Sequence, residues 1–184
     1  IVASNEGMNQ KDLIVFTGSS SIRMWKTLND DFSDYNVVNN GFGGSEMSDL
    51  LHYAEQLIIQ YQPMQVFIYE GDNDIAAGRT LDQILANAQE LTALIQRRLP
   101  DCDIVLISPK PSMARKHLND KYHQLNTSLR KWCAENGITF IDVWPAMTNK
   151  KGELREDLFI EDDLHMNEKG YAIWKNLMKP YLKK

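Results

Sequence analysis

Short apolar segments alternate with longer amphipathic segments along this chain. The apolar segments occupy residues 13–17, 36–39, 64–69, 103–108 and 139–143. Most of them run without polar alternation, which is typical of strands that are covered on both faces. The pattern therefore predicts five buried β-strands, of which the segment at 36–39 is the weakest.

Between these strands, apolar residues recur at the spacing of amphipathic helices. The helical stripes cover residues 47–61, 81–99, 118–132 and 171–181. Thr80 can cap the second stripe, and Pro63 and Pro100 stand where helices should end. Strands that are joined by helix-length crossovers pair in parallel. We therefore predict an α/β fold with helices on both faces of a five-stranded parallel sheet.

The bulk properties suit one soluble, globular domain over residues 1–184. With 43% hydrophobic and 24% charged residues the chain is not of the disordered class, and no repeat or linker divides it. The net charge of −5 argues weakly against a nucleic-acid partner. No apolar run approaches the roughly 18 residues of a membrane helix, so we expect no integral membrane segment.

Two details of the sequence bear on compartment. The first residue is Ile, so we expect a trimmed start, compatible with the cytoplasm or with export after removal of an N-terminal segment. The two cysteines, Cys102 and Cys133, do not form a disulfide framework. Two buried thiols are the favoured interpretation, and a single bridge remains open. Neither the compartment nor the oligomeric state follows from the sequence.

Parallel sheets bind ligands at the carboxyl ends of their strands. Directly after the first strand come Gly18, Ser19, Ser20 and Ser21. The glycine permits a tight turn, and a serine there can present its hydroxyl at the rim of the sheet. The N–H groups of a following helix would then lie beside a developing anion. As an alternative, the serines only cap that helix.

Two further polar turns follow the second and third strands. Gly41, Gly43 and Gly44 let the backbone approach a ligand closely, although a flexible turn explains them equally well. Asn73 can donate an amide N–H toward the same rim, although turn chemistry with a capping Asp74 accounts for it too.

Asp162 and His165 lie three residues apart, just before the last helical stripe. A carboxylate within reach of an imidazole fixes its tautomer and stabilises its protonated form. A solvated acidic turn with an incidental histidine is the alternative. Among the other histidines, His52 falls within a helical stripe, and His117 and His123 follow the fourth strand and can reach the rim.

Together these motifs resemble the SGNH hydrolase superfamily, the GDSL-type esterases and lipases, and in particular one bacterial GSSSIR-type branch. The resemblance is carried by residues 16–25, 40–45, 69–74 and 163–171. It implies a flavodoxin-like, three-layer α/β/α fold. By position it implies that Ser20 is the nucleophile, with His165 as base and Asp162 as its acid partner. It also implies an oxyanion hole formed by Ser20, Gly44 and Asn73. Ser19 departs from the family pattern, because it stands where Gly-Asp-Ser has Asp.

The resemblance implies a serine-dependent carboxylic ester hydrolase that works through an acyl-enzyme, with no metal or other cofactor. We expect a small-molecule or carbohydrate ester with a short acyl group, such as an acetylated carbohydrate, because little chain is left for a lid or acyl tunnel. A lysophospholipase or thioesterase would use the same residues. A non-catalytic ligand-binding module, or a flavin or nucleotide binder, could share the fold.

The sequence also suggests roles for four other side chains. Lys110 and Arg115 leave the fourth strand at the rim, so either can contact a polar or anionic substrate or pair with local carboxylates. Trp25 is expected in the core, and Arg23 in a structural ion pair.

Overall fold

The computed structural model describes residues 11–184. Its strands are β1 Leu13–Gly18, β2 Asn36–Gly41, β3 Gln65–Tyr69, β4 Asp103–Ile107 and β5 Thr139–Ile141. Within these residues the strands form one parallel sheet in the order β2-β1-β3-β4-β5. The predicted α/β fold with a five-stranded parallel sheet is confirmed.

The helices lie on both faces of this sheet. They are α1 Ser20–Arg23, α2 Leu28–Asp31, α3 Met47–His52, α4 Ala54–Leu57, α5 Asp72–Ala76, α6 Leu81–Arg98, α7 Asn119–Glu135 and α8 Glu168–Met178. Within residues 11–184, none of them has the length and apolar character needed to cross a bilayer.

Each face of the sheet has its own apolar core, because successive side chains along a strand point to opposite faces. Ile14 and Phe16 pack with α1, α2 and α8, whereas Leu13 and Val15 pack with α3, α4, α6 and α7. Trp25 lies in the first core and is 1% exposed, as expected. Burial of each large apolar side chain contributes roughly 1.5–3 kcal/mol, so the two cores hold the sheet edges rigidly.

The stripe at residues 47–61 is not one continuous helix. Tyr53, with φ −96° and ψ 15°, separates α3 from α4, and a 3₁₀ turn at Ile59–Tyr61 follows. Leu50, Ala54 and Ile58 are nevertheless fully buried. The apolar residues on both sides of the break therefore remain in the core.

The two cysteines carry free thiols, as favoured above. Cys133 is buried and Cys102 is half-buried. Burial raises the pKa of both thiols to about 12, and the Asp103 carboxylate adds to the rise at Cys102. Both groups are therefore protonated and unreactive near neutral pH.

The direction of the chain reverses across the sheet at β1. The first crossover runs outward to β2, and the second returns past β1 to β3. Such a switch point opens a crevice at the carboxyl ends of two adjacent strands whose crossovers run in opposite directions, here β1 and β3. The topology therefore points to the end of β1, where Gly18 leads into α1.

Candidate active site

Gly18 turns the chain sharply from β1 into α1. Its φ of +130° favours glycine, and a Cβ at this position would sit 2.0 Å from the Tyr69 carbonyl oxygen. The Ser19 N–H donates to the same oxygen at 3.0 Å, so the turn stays attached to β3. As a result, Ser20 begins α1 at the rim of the sheet.

The structure separates the three consecutive serines. Ser19 and Ser21 are buried. The Ser19 hydroxyl points to the Asp72 carboxylate, with Oγ 3.4 Å from Oδ1. Ser20 lines an open cleft instead, and its Oγ lies 2.9 Å from His165 Nε2. The hydroxyl that faces both the cleft and an imidazole is therefore that of Ser20.

His165 links Ser20 to Asp162, although 145 residues separate it from Ser20. Its Nδ1 lies 2.5 Å from Asp162 Oδ2. A carboxylate at this distance keeps the ring proton on Nδ1, which leaves Nε2 free to accept a proton from Ser20. The arrangement can thus activate the serine hydroxyl as a nucleophile.

Asp162 is held in its charged form by several donors. Its Oδ1 accepts the backbone N–H groups of Leu164 at 2.9 Å and of His165 at 2.8 Å. Partial burial alone would raise the pKa of Asp162, but these bonds and the His165 side chain lower it to about 2. The carboxylate is therefore ionised throughout the neutral range.

The loop that carries Asp162 and His165 is anchored from behind. Lys110 is 1% exposed, and its Nζ donates to the Leu164 carbonyl oxygen at 2.6 Å. The Ala114 N–H donates to the Asp163 carbonyl oxygen at 3.1 Å. Burial lowers the pKa of Lys110 to about 8, although the Asp72 carboxylate opposes this change.

The contacts of Lys110 in the structure are with the protein. Its ammonium lies behind the loop and does not line the cleft, because it donates to the Leu164 carbonyl oxygen and lies over the Phe159 ring. Sequence placed Lys110 at the correct rim of the sheet, but the direction of its side chain depends on a loop 54 residues away. The contacts favour a positioning role.

Hydrogen-bond donors face the cleft beside Ser20. Within residues 11–184, the backbone N–H groups of Ser20 and Gly44 have no acceptor. Gly44 has a φ of +83°, which favours glycine. Asn73 Nδ2 donates one hydrogen to the Ser45 carbonyl oxygen at 2.9 Å and retains a second. Three donors are thus free to bind an oxyanion.

Arg115 orients the Asn73 amide. Its guanidinium donates to Asn73 Oδ1 and to the Asp72 carbonyl oxygen, each at 3.0 Å, and lies 3.5 Å from the Asp72 carboxylate. Because Oδ1 accepts the N–H from Arg115 Nη2, the amide is oriented with Nδ2 toward the Ser45 carbonyl oxygen. Arg115 lines the cleft as expected, and its observed contacts are with the protein.

The cleft has a volume of about 570 Å³. Its lining comprises Ser20, Arg23, Met24, Lys26, Gly43, Gly44, Asn73, Arg115, Leu164 and His165. The structure therefore brings Ser20, His165, Gly44 and Asn73 together, with Asp162 directly behind the imidazole.

A buried carboxyl group lies beneath the Gly44 loop. Glu70 directly follows β3 and is 1% exposed. Ser45 Oγ lies 2.5 Å from Glu70 Oε1 and 2.7 Å from the Phe42 carbonyl oxygen. A serine hydroxyl has one proton and cannot donate to both oxygens. A protonated Glu70 that donates to Ser45 satisfies both contacts, because the Phe42 carbonyl can only accept.

The surroundings of Glu70 favour this neutral form. Burial raises the pKa of Glu70 well above its ordinary value of 4.5; the bond to Ser45 opposes the rise, and the Asp72 and Asp74 carboxylates add to it. Glu70 Oε2 has no partner among the described residues, which a neutral acid tolerates better than a carboxylate. The sequence does not mark Glu70 as a functional residue, because its position at the end of β3 is the only sign and its burial depends on tertiary contacts.

We expect Glu70→Gln to retain ester hydrolysis within about threefold, because an amide N–H can donate to Ser45 as the neutral acid does. Glu70→Ala removes the donor and should lower kcat/KM roughly tenfold. Steady-state kinetics on a 4-nitrophenyl ester compare the two variants.

The pH dependence of the unfolding free energy tests whether Glu70 is protonated in the folded protein. Because the pKa of Glu70 is raised in the folded state, the contribution of Glu70 to stability is lost as the pH rises above about 4.5, since the unfolded chain releases this proton first. Glu70→Gln lacks this loss, so its stability relative to wild type should increase from about pH 4.5 to pH 8. A difference in unfolding free energy that does not change with pH would contradict a neutral Glu70.

A serine, an imidazole and a carboxylate in series, with free N–H donors at the end of a parallel strand, have the geometry of a serine hydrolase site. A family model described as the GDSL-like lipase/acylhydrolase family matches residues 7–173. The chain belongs to this family of serine hydrolases, within the SGNH hydrolase superfamily, and is a GDSL-type esterase/acylhydrolase. A search of curated proteins gives no match.

Solved structures share the fold at low identity. A GDSL-like lipase from Bacteroides thetaiotaomicron is 21% identical, with a TM-score of 0.85 over 97% of this chain and 93% of that one. An acetyl xylan esterase from Geobacillus stearothermophilus is 17% identical, with a TM-score of 0.78 over 93% of this chain and 94% of that one. The chain therefore spans nearly the full length of both structures.

Proposed function

We propose that this protein hydrolyses short-acyl carboxylic esters, such as acetylated carbohydrates, with Ser20 as nucleophile, His165 as base and Asp162 as its acid partner. The observation that carries the proposal is the continuous contact from Ser20 Oγ to His165 Nε2 at 2.9 Å, and from His165 Nδ1 to Asp162 at 2.5 Å. We also propose that it belongs to the bacterial GSSSIR-type branch, on the basis of residues 18–23.

In the first half of the proposed reaction, His165 Nε2 takes the Ser20 proton as Oγ attacks the ester carbonyl carbon. The carbonyl oxygen becomes an oxyanion, which accepts the N–H groups of Ser20, Gly44 and Asn73. The tetrahedral intermediate then expels the alcohol, which leaves with the proton held by His165. An acyl group remains on Ser20.

In the second half, water replaces the alcohol. His165 takes a proton from the water as its oxygen attacks the acyl carbon, and the same donors hold the new oxyanion. Collapse releases the carboxylic acid and returns the proton to Ser20. Loss of any one of the three donors should raise the barrier by about 3–4 kcal/mol, which is the usual cost of removing one such donor.

The lining of the cleft supports a short acyl group. Its larger apolar side chains are those of Met24 and Leu164, and the remaining lining is glycine, polar or charged. A long acyl chain gains about 0.8 kcal/mol for each methylene that it buries, and this lining gives few such contacts. An acetyl xylan esterase among the structural neighbours, for which serine-to-alanine and histidine-to-alanine forms are described as catalytic mutants, is consistent with this proposal.

We expect the purified protein to hydrolyse 4-nitrophenyl acetate with a kcat/KM at least about tenfold above that for 4-nitrophenyl octanoate. The two esters release the same alcohol, so the comparison isolates the acyl chain. Reaction rates with the Ser20→Ala variant provide the background. A preference for octanoate would favour a lysophospholipase or long-chain lipase instead, and turnover of neither ester would contradict an esterase.

A further inference from the structure

The cleft beside Ser20 carries positive charge, although the chain has a net charge of −5. Arg23, Lys26 and Arg115 line it, and among the described residues that line it there is no aspartate or glutamate. A concave site lined by one sign of charge concentrates ligands of the opposite sign. The Asp72 carboxylate offsets the charge of Arg115, so Arg23 and Lys26 are the lining cations that have no carboxylate partner within residues 11–184.

Among the described residues, Arg23 differs from most of the arginines because its side chain has no polar partner. Five of the seven arginines form ion pairs with aspartate or glutamate: Arg79, Arg98, Arg115, Arg130 and Arg155. Arg23 forms no side-chain hydrogen bond or ion pair within residues 11–184, contrary to the structural ion pair expected from the sequence. Arg97 is the other arginine without one, and it lies outside the cleft.

The Arg23 side chain lies directly over the Gly43 backbone. A Cβ at Gly43 would be 2.8 Å from Arg23 Nη1 and 3.1 Å from Cδ, so the glycine makes room for it. Gly43 immediately precedes Gly44, whose free N–H faces the cleft. The guanidinium thus lies beside the oxyanion donors. Lys26, which donates from Nζ to the Arg23 carbonyl oxygen at 3.3 Å, adds a second cation on the same side.

We propose that Arg23, assisted by Lys26, binds an anionic group on the alcohol part of the ester, so that the preferred substrate is the acetyl ester of a carboxylate-bearing alcohol. The inference rests on the proposed esterase function. Because an acetyl group carries only a methyl group beyond its carbonyl carbon, an anionic group on the substrate must belong to the alcohol. A guanidinium offers two parallel N–H groups, which match the two oxygens of a carboxylate.

A pair of matched esters tests this inference. 3-Acetoxybenzoate carries a carboxylate on the alcohol part, and 3-acetoxybenzamide is its neutral analogue of similar size. Wild-type protein should favour the anionic ester in kcat/KM. Arg23→Gln should lower the ratio of anionic to neutral kcat/KM about fivefold to tenfold, and Arg23→Lys should lower it less. Differences in leaving-group reactivity cancel when this ratio is compared between variants.

Arg97→Gln is the matched control, because it removes the same charge from an exposed arginine at the far end of α6, outside the cleft. It should leave the ratio unchanged, and about 0.5 M NaCl should reduce the wild-type ratio by screening. Equal turnover of the two esters by wild type, or equal effects of Arg23→Gln and Arg97→Gln, would overturn the inference and leave the esterase function intact. Turnover of neither ester would overturn both.

Discussion

Replacement of Ser20 by alanine should abolish ester hydrolysis, lowering kcat by at least about a thousandfold and by up to about a millionfold. The variant retains the oxyanion donors but has no oxygen to attack the carbonyl carbon. Its structure should be unaffected, because the Ser20 side chain faces the cleft and not the core. Hydrolysis of 4-nitrophenyl acetate measures the loss, and circular dichroism checks that the variant is folded.

Covalent labelling with a fluorophosphonate distinguishes this role from simple ligand binding. Wild type should be labelled, and Ser20→Ala should not. Ser19→Ala is the matched control, because Ser19 is the adjacent serine and its hydroxyl is buried against Asp72. It should still be labelled. Labelling of Ser20→Ala at the wild-type rate would remove Ser20 from the mechanism, whereas no labelling of wild type would favour a non-catalytic module.

Replacement of Asp162 by asparagine should lower kcat by roughly ten-thousandfold, the loss expected when the carboxylate of such a triad becomes an amide. The new amide would keep an oxygen for the backbone N–H groups of Leu164 and His165. Where it faces Nδ1, however, the amide N–H favours the wrong tautomer of the His165 ring. Because the Asp162 side chain is 44% exposed, stability should change little. Steady-state kinetics and thermal unfolding measure the two effects separately.

The neighbouring Asp163→Asn variant is the control for Asp162→Asn. Asp163 has a φ of 56°, which asparagine tolerates, and its carboxylate makes no hydrogen bond or ion pair within residues 11–184. It should retain wild-type turnover. Equal turnover by Asp162→Asn and wild type would exclude Asp162 from the site.

Much of the fold was predictable because its determinants are local. A strand buried on both faces needs an uninterrupted apolar run, and residues 13–16 and 66–69 are such runs. The break at Tyr53 was not predictable, since the apolar spacing of the sequence continues through it.

The candidate site was less predictable than the fold. Asp and His three residues apart also occur at Asp120 and His123, where the imidazole packs on the Trp144 ring with centroids 4.2 Å apart. The spacing therefore does not by itself select a base. Resemblance to a family directed attention to His165, and the contact with Ser20 depends on two loops meeting across the sheet.

The sequence by itself determined the alternation of strands and helices, the parallel sheet and the rim at which polar side chains gather, because hydrophobic periodicity and turn chemistry act between near neighbours. Tertiary structure alone decided that Lys110 points behind the loop of Asp162 and His165, that Glu70 is buried against Ser45 and that the Arg23 side chain has no polar partner within residues 11–184. Burial, charge state and pairing depend on atoms that distant segments bring together, and no local pattern in the chain encodes them.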